Sequence, residues 1–141
     1  MKTIQDVMTK DCVTVSPQDP LHEAAMKMRQ NDTGFIPVIE QGSRKLVGVL
    51  TDRDLTVRGY ANNHPGTTPV DQVMSKDIRT ISPEKDVHEA AHIMADELIR
   101  RLPVVENGNL VGVVSIGDLA VRDIFVDNAG EALSRISEHV H

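Results

Sequence analysis

Two stretches place a hydroxyl side chain and a carboxylate at one fixed spacing behind a glycine: Gly48-Val49-Leu50-Thr51-Asp52-Arg53-Asp54 and Gly112-Val113-Val114-Ser115-Ile116-Gly117-Asp118. A carboxylate can accept from two neighbouring hydroxyl donors at once, and the start of a helix presents free N–H groups to an anion. The same spacing is also a capping box, which starts a helix with no ligand present. Both readings stand at this point. They are compatible, because a cap can open when a ligand takes over its carboxylate.

A third stretch, His88-Glu89-Ala90-Ala91-His92, fits H-E-x-x-H. Histidines four apart share a helix face and can hold zinc, while the glutamate activates a metal-bound water. The context speaks against catalysis. The equivalent stretch earlier in the chain is His22-Glu23-Ala24-Ala25-Met26, so His92 is a variation on a repeated theme, and no third ligand is indicated. Exposed helix histidines are the first reading, and metal binding by His88 and His92 is a lesser alternative. There is no P-loop, no G-x-G-x-x-G fingerprint and no nucleophile elbow. The chain is therefore expected not to be an enzyme.

The elements that must position these residues come from a chain of 141 residues, 40% hydrophobic and 26% charged, the balance of a globular protein with a real core. That length suits one ordinary domain or two half-size units sharing an interface. A net charge of −6 argues against general nucleic-acid binding, which needs a basic surface. The three aromatics, Phe35, Tyr60 and Phe125, are too few for stacking platforms. No apolar run approaches the roughly 20 residues that cross a bilayer, and the N-terminus lacks a secretory pattern. A cytoplasmic location without membrane attachment is expected, in keeping with the single cysteine, Cys12, which reads as packing.

The chain is internally duplicated. Val7-Met8-Thr9-Lys10-Asp11 returns as Val73-Met74-Ser75-Lys76-Asp77, Thr14-Val15-Ser16-Pro17 as Thr80-Ile81-Ser82-Pro83, and Pro37-Val38 as Pro103-Val104. After a short deletion, Leu46-Val47-Gly48-Val49 matches Leu110-Val111-Gly112-Val113. The deletion falls where a hairpin tip would tolerate it. Each copy reads as helix-turn, strand, helix, hairpin, helix. Val13-Thr14-Val15 is a short β-prone run; Asp19-Pro20 offers an N-cap with proline at the first helical position, and a helix should reach about Asn31. Leu21, Ala24, Ala25 and Met28 should form its core face, as should Val87, Ala90, Ala91, Met94 and Leu98 in the second copy. Gln41-Gly42-Ser43 and Asn107-Gly108 mark hairpin turns, and final helices start from Thr51 and Ser115. The boundaries expected are repeat 1 over 1–62, a turn-rich connector over 63–67, repeat 2 over 68–125, and a tail over 126–141 with a weak helical pattern in Ala132, Leu133 and Ile136.

Two copies of Gly-x-x-Thr/Ser-x-x-Asp, each after Val-Met, Ser-Pro, an Ala-rich helix and Pro-Val, resemble tandem CBS domains, the family named after cystathionine β-synthase. The likeness covers about 4 to 125 and looks like small stand-alone bacterial CBS-pair proteins. It implies an α/β (α+β) fold of two βαββα repeats packed by pseudo-twofold symmetry, and a homodimer. It also implies a non-enzymatic regulatory sensor of AMP, ADP or ATP, ahead of S-adenosylmethionine. No cofactor is expected beyond that ligand, and the regulated protein partner is unknown.

In similar modules the motif aspartate accepts ribose hydroxyls, and one copy's motif joins the first strand and pre-hairpin segment of the other. By that analogy the preferred site combines Thr51 and Asp54 with Thr80, Arg100, Arg101, Leu102 and Pro103. Its two arginines suit bidentate phosphate binding, although cations at a helix end are also favoured by the macrodipole alone. The second site combines Ser115 and Asp118 with Thr14, Gly34, Phe35, Ile36 and Pro37. Gly34 and Phe35 replace the arginines there, which implies an uncharged adenosyl compound or no ligand. The alternative from a different class is a ligand-free interaction or scaffold protein in which both motifs serve only as caps.

Overall fold

Aliphatic and β-branched runs on either side of a turn-prone tip build two hairpins, and the short helices are laid against them. The computed structural model describes residues 2–121. The end of repeat 2 beyond residue 121 and the tail over 126–141 lie outside the described residues. In chain order the elements are α1 (Ile4–Val7), α2 (Leu21–Asn31), β1 (Phe35–Ile39), β2 (Leu46–Thr51), α3 (Asp52–Asp54), α4 (Val87–Glu97), β3 (Arg101–Glu106), β4 (Asn109–Ser115) and α5 (Ile116–Val121). The α3 turn continues as a wider π-helical turn over Leu55–Gly59 and a 3-10 turn over Tyr60–Asn62. A further 3-10 turn spans Val70–Gln72.

Both hairpins are antiparallel two-stranded sheets. In the first, Phe35 faces Thr51, Ile36 faces Leu50, Pro37 faces Val49 and Val38 faces Gly48. The register then slips, Ile39 facing Leu46, so that Val47 is an extra residue on β2. Gly42 takes φ +81° at the first tip, and Asn107 and Gly108 take φ 55° and 82° at the second. Paired positive φ values are what an Asn-Gly hairpin turn demands.

The chain divides into two compact units that do not follow the repeats. The first unit comprises residues 12–78 and 108–110; the second comprises residues 2–11, 79–107 and 111–121. Each therefore takes its leading segment from the other copy. In the first unit, Ser75 and Val49 exchange main-chain hydrogen bonds at 2.8 and 3.0 Å along the outer edge of β2. In the second, Thr9 and Val113 do the same at 2.8 and 3.0 Å along β4. On the opposite edge, Val15 donates to Pro37 O at 3.2 Å and Ile81 donates to Pro103 O at 3.1 Å. The expected strand at 13–15 is thus a single parallel bridge, Val15 with Val38, matched by Ile81 with Val104. Residues 108–110 join the first unit because Leu110 N–H donates to Arg44 O at 2.7 Å.

Each unit has its own core. Val15, Leu21, Ala24, Met28, Ile36, Val38, Leu50, Val70, Val73 and Met74 pack together in the first, and Ile4, Val7, Ile81, Val87, Met94, Leu102, Val104, Val114 and Leu119 are among the buried residues of the second. The borrowed segments contribute Val70, Val73 and Met74 to one core and Ile4 and Val7 to the other. Each such aliphatic side chain stabilises its unit by about 1.5–3 kcal/mol when fully buried.

Two local expectations are corrected. The start of α2 is Leu21, one residue later than the Asp19 cap implied; Pro20 occupies the cap position and the Asp19 carboxylate accepts Ser16 N–H at 2.8 Å. The first free helix donors are met instead by the connector and the first residue of repeat 2, His22 N–H reaching Gly66 O and Leu21 N–H reaching Thr68 O, both at 2.9 Å. Ala25, expected in the core, is exposed, whereas its counterpart Ala91 is buried beside Ala95. Arg29 stands where α4 has Ala95, and its charge keeps that face of α2 in water. Leu98 is half-buried and caps α4 in the left-handed region at φ 57°.

Candidate functional site

In each unit the glycine-hydroxyl-aspartate signature sits where a central strand turns directly into a helix. Thr51 and Ser115 are the last residues of β2 and β4, and both are half-buried. Thr51 Oγ1 accepts Asp54 N–H at 3.0 Å while Asp54 Oδ2 accepts Thr51 N–H at 3.0 Å. The second copy repeats this closely: Ser115 Oγ accepts Asp118 N–H at 3.1 Å and Asp118 Oδ2 accepts Ser115 N–H at 2.9 Å. Both capping boxes are therefore complete. Each uses one carboxylate oxygen and leaves Oδ1 outside the box.

The glycine that opens the signature has a packing reason. A methyl group on Gly48 would stand 2.8 Å from both Met74 Sδ and Ser75 O, and one on Gly112 would stand 2.8 Å from both Met8 Sδ and Thr9 O. The borrowed segment in each unit thus lies directly over the glycine, and its methionine fills the missing side-chain volume.

The pre-hairpin residues are anchored to the same turn. Asp52 N–H donates to Gly34 O at 2.9 Å, and Ile116 N–H donates to Arg100 O at 3.0 Å. A Cβ on Gly34 would come 2.6 Å from the Asp52 carboxylate, so a larger residue there would require that exposed side chain to swing aside. In the second copy Arg100 occupies the equivalent place and Ile116 follows Ser115. Within the first unit, then, Gly34 and Phe35 lie at Thr51; within the second, Arg100 lies at Ser115. Arg100, Arg101 and Thr80 are exposed, Leu102 and Pro103 buried. Ile36 and Pro37 are buried, while Thr14, Gly34 and Phe35 are half-buried.

Two basic residues escaped the sequence reading. Arg58 Nη1 is 4.0 Å from Asp54 Oδ1 and donates to Ser75 Oγ at 3.3 Å, so it spans from the signature to the borrowed segment. Its i,i+4 spacing from Asp54 was the available signal. Lys27 on α2 donates from Nζ to Thr14 O at 2.9 Å. Only its mismatch with Ile93 in the other copy marked it.

The histidine pair is placed as helix structure. Asp86 Oδ1 accepts His88 N–H at 2.7 Å and lies 2.7 Å from His88 Nδ1, so one ring nitrogen serves the start of α4. The His88 main-chain donor, more than its ring, holds the Asp86 carboxyl below the ordinary aspartate range. Among the described residues no group of three or more His, Cys, Asp and Glu is arranged to hold a metal. Among the same residues no helix is long and apolar enough to cross a membrane.

Comparison with known proteins decides the family. The CBS domain model matches twice, over residues 4–58 and 70–123. The chain belongs to the CBS domain family. The CBS domain-containing protein YhcV of Bacillus subtilis is 44% identical over 142 residues, covering 100% of both chains. The crystal structure of Hypoxic Response Protein I with two coordinated zinc ions is similar at a TM-score of 0.78 and 29% identity, covering 86% of this chain and 98% of that one. The CBS domain pair of protein MJ0100, in complex with 5′-methylthioadenosine and S-adenosyl-L-methionine, matches at a TM-score of 0.75 over 90% of this chain and 98% of that one. At 23% identity this last likeness speaks for the fold. The fold, a mixed α/β pair of CBS repeats with small antiparallel sheets, is the one the repeats implied.

Proposed function

We propose that this CBS pair is a non-enzymatic regulatory module that binds an adenosine nucleotide, AMP, ADP or ATP, through Thr51 and Asp54 together with Thr80, Arg100, Arg101, Leu102 and Pro103. The observation that carries this reading is the state of Asp54. Its side chain is only 13% exposed, one oxygen closes the helix cap, and Oδ1 stands outside the cap with acceptor capacity for a ribose diol. Arg100 and Arg101 are exposed and have no carboxylate partner among the described residues, the condition for charge-assisted bonds to phosphate. The nucleotide acts as a regulatory ligand by favouring one conformation of the pair over another, and a homodimer presents that state to an unknown protein partner.

Calorimetric titration of the full chain with AMP, ADP, ATP, S-adenosylmethionine and 5′-methylthioadenosine tests this. Saturable binding of the phosphorylated ligands, with a raised thermal midpoint, is the expected result. No heat and no midpoint shift at millimolar ligand would sink the reading. A second reading, a ligand-free interaction scaffold, is favoured by one observation: both capping boxes are closed with protein groups alone. A flat thermal midpoint across the whole panel is its signature.

A further inference from the structure

Each unit lays a methionine over its signature glycine, and the two methionines differ in their access to water. Met74 Sδ stands 2.8 Å from the position of a Cβ on Gly48, and Met8 Sδ stands equally close to that of Gly112. Met74 is 5% exposed and belongs to the core of the first unit. Met8 is half-buried and packs against the core of the second. Of the other described methionines, Met28 and Met94 are buried, and Met26 is half-buried on α2 outside both cores. Among the described residues Met8 alone is thus both partly open to solvent and built into a core contact. It also holds down a segment. Ile4 and Val7, just before it, are buried in the second core, and Thr9, just after it, exchanges main-chain hydrogen bonds with Val113.

From these observations we infer that Met8 is an oxidation site, and that its sulfoxide loosens residues 2–11 from the second unit, making that segment a redox-sensitive latch. The oxidant is a peroxide. A sulfur lone pair attacks one peroxide oxygen, the S–O bond forms as the O–O bond breaks, and hydrogen peroxide leaves as water. Sulfur is oxidised by two electrons and the peroxide is reduced by two. The product puts a polar acceptor where an apolar thioether stood. Its surroundings are poor in donors. Thr9 O, 2.8 Å from the same Cβ position on Gly112, is itself an acceptor. The nearby main-chain donors are already engaged, Met8 N–H with Ile4 O, Thr9 N–H with Val113 O and Val113 N–H with Thr9 O. A buried acceptor without a partner is costly, so the sulfoxide is carried into water. That movement lifts the segment from Gly112 and weakens the Thr9–Val113 pairing. Reduction of the sulfoxide restores the thioether and the packing. In the first unit the burial of Met74 closes the same chemistry off.

The test treats the folded full chain with hydrogen peroxide and follows each methionine by peptide mass spectrometry. Met8 is expected to oxidise at least about tenfold faster than Met74, since susceptibility follows exposure. The thermal midpoint is expected to fall by about 4 °C or more in step with Met8 oxidation. Amide exchange at Thr9 and Val113 should quicken by about tenfold or more, while Val49 and Ser75 keep their rates. Methionine sulfoxide reductases should return the midpoint, a repair that leaves any oxidation of Cys12 in place. Met8→Leu, a volume-conserving change, should remove the peroxide-induced fall, and Met26→Leu should not. If the leucine variant does not fold, exchange in the oxidised unsubstituted chain decides by itself. Equal oxidation of Met8 and Met74, unchanged exchange at Thr9 and Val113 once Met8 is oxidised, or the same fall in midpoint in a folded Met8→Leu chain would overturn the inference. The ligand readings stand or fall independently of it.

Discussion

Gly48 and Met74 are packed as a pair: the point where a Cβ on Gly48 would stand is 2.8 Å from the Met74 sulfur and equally close to the Ser75 carbonyl oxygen. The thioether could swing aside, but the carbonyl is held by its hydrogen bond from Val49 N–H at 3.0 Å. Gly112 repeats the relationship with Met8 and Thr9.

Gly48→Ala and Gly112→Ala are therefore expected to destabilise the fold by about 1–3 kcal/mol each, as overpacking does. Gly117→Ala is the control. Its Cβ would meet only Ser115 Oγ at an ordinary 3.5 Å, and alanine in a helix is expected to stabilise by up to about 1 kcal/mol. Urea denaturation of the three variants checks the contrast, and equal effects would contradict the packing account.

The two capping boxes are equivalent as structure, and the proposed function makes them unequal as ligand sites. Asp54→Ala and Asp118→Ala should each cost about 1 kcal/mol of stability, because each removes the same reciprocal cap. If the proposed function holds, nucleotide affinity should respond differently, with Asp54→Ala removing the tighter event. Titration calorimetry on both variants decides it, and equal losses would contradict the asymmetry.

Acid should weaken the second unit through Asp86. Its carboxyl is held below the ordinary range first by His88 N–H, then by the His88 ring. A group depressed in the folded state contributes stability above its unfolded pKa, and that contribution is lost as pH falls through the folded value. Asp6, depressed chiefly by accepting Thr3 N–H, acts in the same sense. The double variant Asp6→Asn, Asp86→Asn keeps the acceptors without the charges, so its denaturation midpoint should fall less steeply than that of the unsubstituted chain in the acid range. Parallel acid limbs would show that these two caps carry no pH dependence.

Asp32 ends α2 in the left-handed region at φ 49°, with its N–H donating to Met28 O. A glycine adopts that conformation without a Cβ penalty, and removing a carboxylate from a helix C-terminus relieves its repulsion by the macrodipole. Asp32→Gly is expected to raise stability by about 1 kcal/mol, read as a higher urea midpoint. A lower midpoint would mean that the exposed aspartate serves another contact.

Legibility followed the range of the interaction. The hairpin tips and the helix starts at Thr51 and Ser115 were readable because each depends on neighbours within a few positions. Asp19 was misread as the cap of α2 because its competitor was distant: Thr68 and Gly66 supply the acceptors. Ala25 was misread because periodicity marks a face without saying that Arg29 will keep it wet.

By itself the sequence determined the duplication, the CBS fold of each copy and the signature residues, all of which are fixed by local spacing and turn chemistry. Only the tertiary structure decided that each copy completes its core with the other's leading segment, why Gly48 and Gly112 must lack a side chain, that Lys27 holds the Thr14 carbonyl and that Arg58 stands beside Asp54. Those facts come from edge pairing between segments far apart in the chain. A hydrogen-bonded edge carries no pattern of its own in the sequence until the strand it meets is known.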